Sequence, residues 1–207
     1  MSRSLTTKNL FDKRTGKTVK FENELFMKAI GEAEQKGGWL IYGPEKNGKT
    51  WFTLQLVKDL AANEKVAYVS AEEGTDMSFI GACNRAGITN SDRILWDEYL
   101  PIEDLVAKFS KPKTASIIVI DNLFFYGDEI KGNYSIKKLI NMLPNKLIIF
   151  VGHEERKEPS PASARDVKKL AKVIIHVKGL KAFVVSRFAP QGGEITISDD
   201  MAEMYWG

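Results

Sequence analysis

Two rhythms alternate along the chain. Unbroken apolar runs at 39–42, 66–70, 116–120 and 147–151 are rich in valine and isoleucine. Such runs read as strands buried on both faces, the pattern of a parallel sheet covered by helices. Between them, apolar residues three and four apart predict helices at 49–62, 76–86, 102–109, 135–142 and 164–170, with a further helical stretch around 22–34. A shorter strand is expected at 94–96. After residue 170 the rhythm changes. Strands at 173–177, 182–186 and 194–198 follow one another across short breaks, Lys178-Gly179 and Ala189-Pro190-Gln191-Gly192-Gly193, which predicts an antiparallel extension at one edge. The expected fold class is α/β, with a mostly parallel central sheet flanked by helices and an antiparallel C-terminal edge. The stretch 154–164, with Pro159 and Pro161, is the breaker-rich segment and is expected as a loop.

Composition narrows the class. At 207 residues, 43% hydrophobic and 28% charged, the chain has the size and balance of one globular domain with a full core. A net charge of +3 does not by itself point to nucleic acid. No apolar run reaches the roughly 20 residues of a transmembrane helix, and the N-terminus lacks the apolar core of a signal peptide. No membrane association is expected, and the cytoplasm is the expected compartment. The single cysteine, Cys83, excludes an intrachain disulfide and a cysteine-cluster zinc site, and reads as a small hydrophobe on a helix. Residues 1–20 differ from the rest. There Arg3, Lys8, Lys13, Arg14, Lys17 and Lys20 face one acid, Asp12. They are set apart as a basic arm ahead of a domain at 21–207, and read either as a nucleic-acid contact or as a solvated, flexible terminus.

The run Gly43-Pro44-Glu45-Lys46-Asn47-Gly48-Lys49-Thr50 has the full G-x-x-x-x-G-K-[ST] spacing, between a predicted strand and a helical pattern that runs on from Trp51. Gly43 and Gly48 let the backbone curl until successive N–H groups point at phosphates. The helix that follows adds its positive end. Lys49 can reach the β- and γ-phosphates and the Thr50 hydroxyl can join a Mg²⁺ shell. The spacing and both flanks imply binding of a nucleoside triphosphate.

Three further strands end in polar residues. The strand 116–120 runs into Asp121, a carboxylate suited to Mg²⁺ or its waters, or a simple cap. The strand 66–70 leads to Glu72 and Glu73. Neighbours on an extended backbone face opposite ways, so one of them, taken to be Glu72, can orient and deprotonate a water, unless the pair is a solvated acidic turn. The strand 147–151 leads to Gly152-His153, where His153 can sense a γ-phosphate or be structural. Later, Val184-Val185-Ser186-Arg187-Phe188 ends a strand in Arg187, an arginine finger for a neighbouring subunit or a surface ion pair.

In this order the pieces resemble the RecA-like P-loop ATPases, most closely the bacterial RadA/Sms type and the DnaB-type helicase core. Val69-Ser70-Ala71-Glu72-Glu73 is similar to the RadA segment that carries its glutamate pair, and Ile118-Val119-Ile120-Asp121-Asn122, Val151-Gly152-His153 and Ser186-Arg187-Phe188 to its later motifs. The resemblance spans about 39–198. It implies Mg²⁺-dependent ATP hydrolysis, action on DNA in recombination, repair or replication, and assembly as a homo-oligomer. Glu72 would be the base, Lys49 the phosphate cation, Thr50 and Asp121 the metal residues, His153 the sensor and Arg187 the finger. Two departures stand out. The zinc module and protease-like domain of RadA have no counterpart, which fits a compact phage or mobile-element protein. Where that family keeps a lysine before its arginine, this chain has Val185.

The segment between His153 and Val173 corresponds to a DNA-contacting loop of the family. Here it holds Arg156, Lys157, Arg165, Lys168, Lys169 and Lys172 against Glu154, Glu155, Glu158 and Asp166. That suits phosphate contacts without base readout, or a solvated flexible loop. Phe124-Phe125-Tyr126 could stack on single-stranded bases, or pack as core or subunit contact. Two other functions stay open: a nucleotide-gated adaptor or helicase-loader-like protein that hydrolyses slowly, which Val185 would tolerate, and a small-substrate kinase with 154–170 as its lid.

Overall fold

One sheet organises the chain, and its strand order explains where the polar strand ends meet. The structure, a computed structural model, describes residues 4–12, 16–90 and 92–207. Its strands are β1 (Gly37–Gly43), β2 (Val66–Ser70), β3 (Ile94–Asp97), β4 (Ile117–Asp121), β5 (Leu147–Glu155), β6 (Glu158–Ser160), β7 (Val173–Lys178), β8 (Lys181–Ser186) and β9 (Gly193–Thr196). The order across the sheet is β3-β2-β4-β5-β1-β7-β8-β9, with β6 paired beside β5. The strands from β3 to β7 are parallel, and β7–β8 and β8–β9 are antiparallel. The mostly parallel α/β sheet with an antiparallel edge expected from the sequence is the observed one.

Burial follows the two rhythms. In β2 and β4 every residue is buried, because helices cover both faces. In β7 buried and partly exposed positions alternate, as in a sheet with one open face. One core layer packs Trp39, Ile41, Tyr68 and Val119 under the helices α2 (Glu24–Ile30), α3 (Lys49–Asn63) and α4 (Met77–Arg85). The other packs Leu40, Val69, Ile118 and Phe150 under α5 (Ile102–Phe109), α7 (Ile136–Met142) and α8 (Ala162–Leu170). A one-turn 3-10 helix, Leu123–Tyr126, leads into the short α6 (Gly127–Gly132).

Several segments differ from their expectation. The helix expected around 22–34 is shorter. Asn23 caps its start by accepting the Leu25 N–H at 2.9 Å, and Gly31, at φ 78°, ends it. The breaker-rich stretch is ordered as a hairpin: β5 continues to Glu155, Arg156 and Lys157 turn at φ 51° and 65°, and β6 returns. Positive φ at both turn residues gives the twist that two-residue hairpins need, and Pro159 is tolerated because β6 is an edge strand. Last, a helix not expected from the sequence, α9 (Asp199–Trp206), closes the chain.

At the other end, Arg3, Lys13 and Arg14 of the basic arm lie outside the described residues. Thr6 caps the five-residue α1 (Thr7–Phe11), in which no residue is buried. Lys17 pairs with Glu64, Thr18 bridges to Glu34, and Val19 is buried.

Candidate functional site

Strand register brings the polar strand ends together. Across β1 and β5 Gly43 lies opposite His153, and across β2 and β4 Ser70 lies opposite Asp121, which in turn faces Val151 of β5. The carboxyl ends of four neighbouring strands therefore form one rim, where open α/β sheets carry their ligands. A cleft of about 730 Å³ opens there, lined by Lys46, Gly48, Lys49, Thr50, Trp51, Glu72, Asp121 and His153. Leu180 and the α9 residue Met201 form part of its wall.

The loop between β1 and α3 is shaped by what surrounds it. A β-carbon on Gly43 would lie 1.9 Å from the Val177 carbonyl oxygen, and Gly48, at φ 95°, sits under Leu180. Lys46 also takes a positive φ, 59°. The Asn47 side-chain oxygen accepts the Gly179 N–H at 2.8 Å, and its carbonyl accepts the Leu180 N–H at 3.3 Å, so the β7–β8 turn braces the loop. Behind that turn, the Trp206 indole donates to the Gly179 carbonyl at 3.0 Å. The Lys49 ammonium donates to the Pro44 carbonyl at 2.7 Å. Burial lowers its pKa, opposed by Asp121 and Glu72. A triphosphate would restore the charge balance that burial disturbs.

Asp121 is buried, and the Tyr68 hydroxyl donates to its carboxylate. Burial pushes its pKa up to about 6; the Tyr68 bond opposes this, Glu72 and Glu73 add to it, and Lys49 lowers it. No group of three or more His, Cys, Asp or Glu among the described residues could hold a metal unaided. Mg²⁺ keeps waters and takes phosphate oxygens, and the groups here that could join such a shell are the Asp121 carboxylate and the Thr50 hydroxyl, both lining the cleft. A buried carboxylate short of positive charge is the donor such an ion favours.

A stability test follows from the sign of that shift. A folded-state pKa above the ordinary 3.8 favours folding at low pH and disfavours it as pH rises through about 6. Asp121→Asn keeps an acceptor for Tyr68 and removes the buried charge. Without nucleotide or Mg²⁺, it is expected to stabilise the protein at pH 8 by on the order of 1–3 kcal/mol, with the gain shrinking toward pH 5. Thermal melts at the two pH values check this, and a variant less stable at pH 8 would contradict it.

The remaining residues divide. Glu72 and His153 meet through Asn122: its amide N–H groups reach Glu72 Oε2 and, at 2.8 Å, His153 Nε2. Glu73 also lines the cleft. Arg187 is not brought into it. Because β8 runs antiparallel to β7, Arg187 lies at the far end of the sheet, where its N–H donates to the Lys172 carbonyl at 3.0 Å. Val185 is 67% exposed on the open face of that edge. Tyr68, Asn122 and α9 were missed from the sequence. Asn122 sits beside the strand-end acid, and Ser198-Asp199-Asp200 carries a helix-start composition; these were the available signals.

No protein-family model and no curated protein sequence matches the chain. Solved structures do. The flagellar accessory protein FlaH from Methanocaldococcus jannaschii superposes with a TM-score of 0.62 at 18% identity, covering 86% of this chain and 91% of that one. A second solved structure, described as an ATPase domain, superposes with a TM-score of 0.59 at 13% identity, covering 91% of this chain and 90% of that one. The mostly parallel α/β sheet with its antiparallel edge is the fold shared with both structures. At such low identity the likeness carries the fold alone, and the residues of the rim must carry the chemistry. No helix among the described residues is long and apolar enough to cross a membrane.

Proposed function

We propose that this chain is a Mg²⁺-dependent ATPase of the RecA-like kind that acts on DNA as a homo-oligomer in recombination, repair or replication. The observation that carries the reading is the shared rim: a phosphate-binding loop, a buried strand-end aspartate, and a glutamate–histidine pair face one cleft. In it the loop and Lys49 would hold the phosphates, and Thr50 and Asp121 would hold Mg²⁺, which when bound would supply neutralisation of the phosphate charge. Glu72 orients and deprotonates the attacking water, and His153 senses the γ-phosphate. Positioning and charge stabilisation supply most of the acceleration. The similarity to a structure described as an ATPase domain supports this reading.

Arg187 lies away from its own cleft, so it serves only in a neighbour's, and an oligomer follows from using it. Arg187→Ala and Lys49→Ala subunits, each inactive alone, are expected to regain part of the activity when mixed. Each mixed contact can then join an intact loop to an intact arginine. A dead mixture of a protein that stays monomeric at all concentrations would remove Arg187 from the mechanism. Steady-state ATPase with and without single- and double-stranded DNA tests the reading as a whole.

One observation favours a second reading. Val185 puts an exposed apolar side chain where the resembling family keeps a cation. A slowly hydrolysing, nucleotide-gated adaptor needs no second cation, and FlaH is described as an accessory protein. Tight ATP binding with turnover indifferent to DNA would favour it.

A further inference from the structure

The β7–β8 turn has both of its residues in the left-handed region, Gly179 at φ 54° and Leu180 at φ 59°. For leucine that conformation is strained, so the turn must be held from outside. One peptide group holds it on two sides. The Gly179 carbonyl accepts the Trp206 indole N–H at 3.0 Å. The Leu180 N–H, at the other end of the same planar unit, donates to the Asn47 carbonyl at 3.3 Å. That carbonyl in turn shares its peptide group with the Gly48 N–H, which makes no hydrogen bond among the described residues. Indole, Gly179–Leu180 peptide and Asn47–Gly48 peptide thus stand in series, ending on an amide at the wall of the cleft. A planar peptide cannot turn at one end alone, and each bond in such a series polarises the next. The indole therefore constrains the direction and the donor strength of the Gly48 N–H.

The indole is itself aimed. Lys178 and Lys181, which flank the turn, hold their ammonium groups 5.9 and 5.8 Å from its ring centroid, and the Phe183 ring meets it edge to face at 6.3 Å. A β-carbon on Gly179 would lie 2.3 Å from the Tyr205 ring and 2.8 Å from the indole nitrogen, so α9 packs directly on the turn. Elsewhere the helix is lightly held. Ala202 alone among its residues is buried, and Met204 is 85% exposed. An element with so little buried surface opens at low cost.

We propose that Trp206 is a positioning residue for phosphate binding, and that α9 is a C-terminal strap whose seating sets the grip of the loop. The inference rests on the triphosphate-binding reading above and deepens it. With the strap seated, the Gly48 amide is fixed before a nucleotide arrives. With the strap lifted, the nucleotide must order the loop itself, and affinity falls. Turnover at saturation does not fall with it, because Glu72, Asp121 and His153 stand at the ends of other strands. The coupling is reciprocal: bound nucleotide must also hold the strap down.

Trp206→Phe tests this in the full chain, since it keeps a ring among Lys178, Lys181 and Phe183 and removes the N–H. Met204→Ala, at an exposed position of the same helix, is the control. Three quantities are read: Kd for a fluorescent ATP analogue, kcat and KM for ATP, and hydrogen exchange of residues 199–207 with and without the analogue. Loss of one hydrogen bond is expected to raise Kd and KM about fivefold in Trp206→Phe, with kcat unchanged. Met204→Ala should behave as wild type. The analogue should slow exchange across 199–207 in wild type and fail to do so in Trp206→Phe. Wild-type affinity in Trp206→Phe, or equal weakening by both variants, overturns the inference and leaves the ATPase reading standing. Exchange in wild type that ignores the bound analogue does the same. Wild type that binds no analogue overturns both. Should Trp206→Phe fail to fold, exchange in wild type decides alone.

Discussion

Gly43→Ala is expected to unfold the protein more readily than any other single methyl addition in the loop. The added carbon would lie 1.9 Å from the Val177 carbonyl oxygen and 2.9 Å from its carbonyl carbon. Neither neighbour is a side-chain tip that can turn away. Val177 belongs to β7, which pairs with β1 on one side and β8 on the other, so relief requires shifting a central strand. The expected cost is roughly 4 kcal/mol, in the range of the most disruptive point changes. For a chain of this length that lowers the melting temperature by about 10 °C. Gly127→Ala is the control: nothing lies within 4 Å of its added carbon, and it opens the helix α6, so alanine should be neutral or slightly stabilising. A Gly43→Ala melt within two or so degrees of wild type would show that the close approach of β1 and β7 is not rigid.

Glu72→Gln is expected to have the largest effect on catalysis. The side-chain oxygen of glutamine still accepts the Asn122 N–H, so the arrangement with His153 is kept. What is lost is a group that can take a proton from water. Removal of a positioned general base costs about 10²- to 10⁴-fold in turnover. ATP binding should be unchanged, because in the proposed reading the phosphates rest on the loop, Lys49 and Thr50. Single-turnover hydrolysis beside equilibrium binding separates the two quantities. Full turnover in Glu72→Gln would take Glu72 out of the mechanism; loss of binding would mean that the carboxylate supports the cleft.

The two variants probe different relations between sequence and structure. The glycine spacing around Lys49 was readable because each residue answers a local demand: backbone curvature, a lysine's reach, a hydroxyl at a helix start. The alternation of buried strands and amphipathic helices was readable for the same reason, since burial on two faces or one writes its own period into the chain. The hairpin at 154–161 was not. Prolines usually break strands, and only the edge position of β6 makes Pro159 acceptable. The helix α9 was missed although acids mark its start, because its place against the β7–β8 turn depends on Trp206 reaching Gly179, 27 positions earlier.

By itself, the sequence determined the α/β class, the antiparallel edge, the glycine-lysine loop between a strand and a helix, and the identity of the strand-end acids, all features set by residues close together in the chain. Tertiary structure decided which of those ends share a rim. Register across β1, β5, β4 and β2 placed Lys49, Glu72, Asp121 and His153 around one cleft, and the antiparallel course of β8 sent Arg187 to the opposite end. It also gave Asn122 its place, because Glu72, His153 and Phe124 converge on one amide only when three separate chain segments are packed together. Hydrogen bonds between distant residues leave no periodicity in a sequence; they exist only once the strands that carry them are in register.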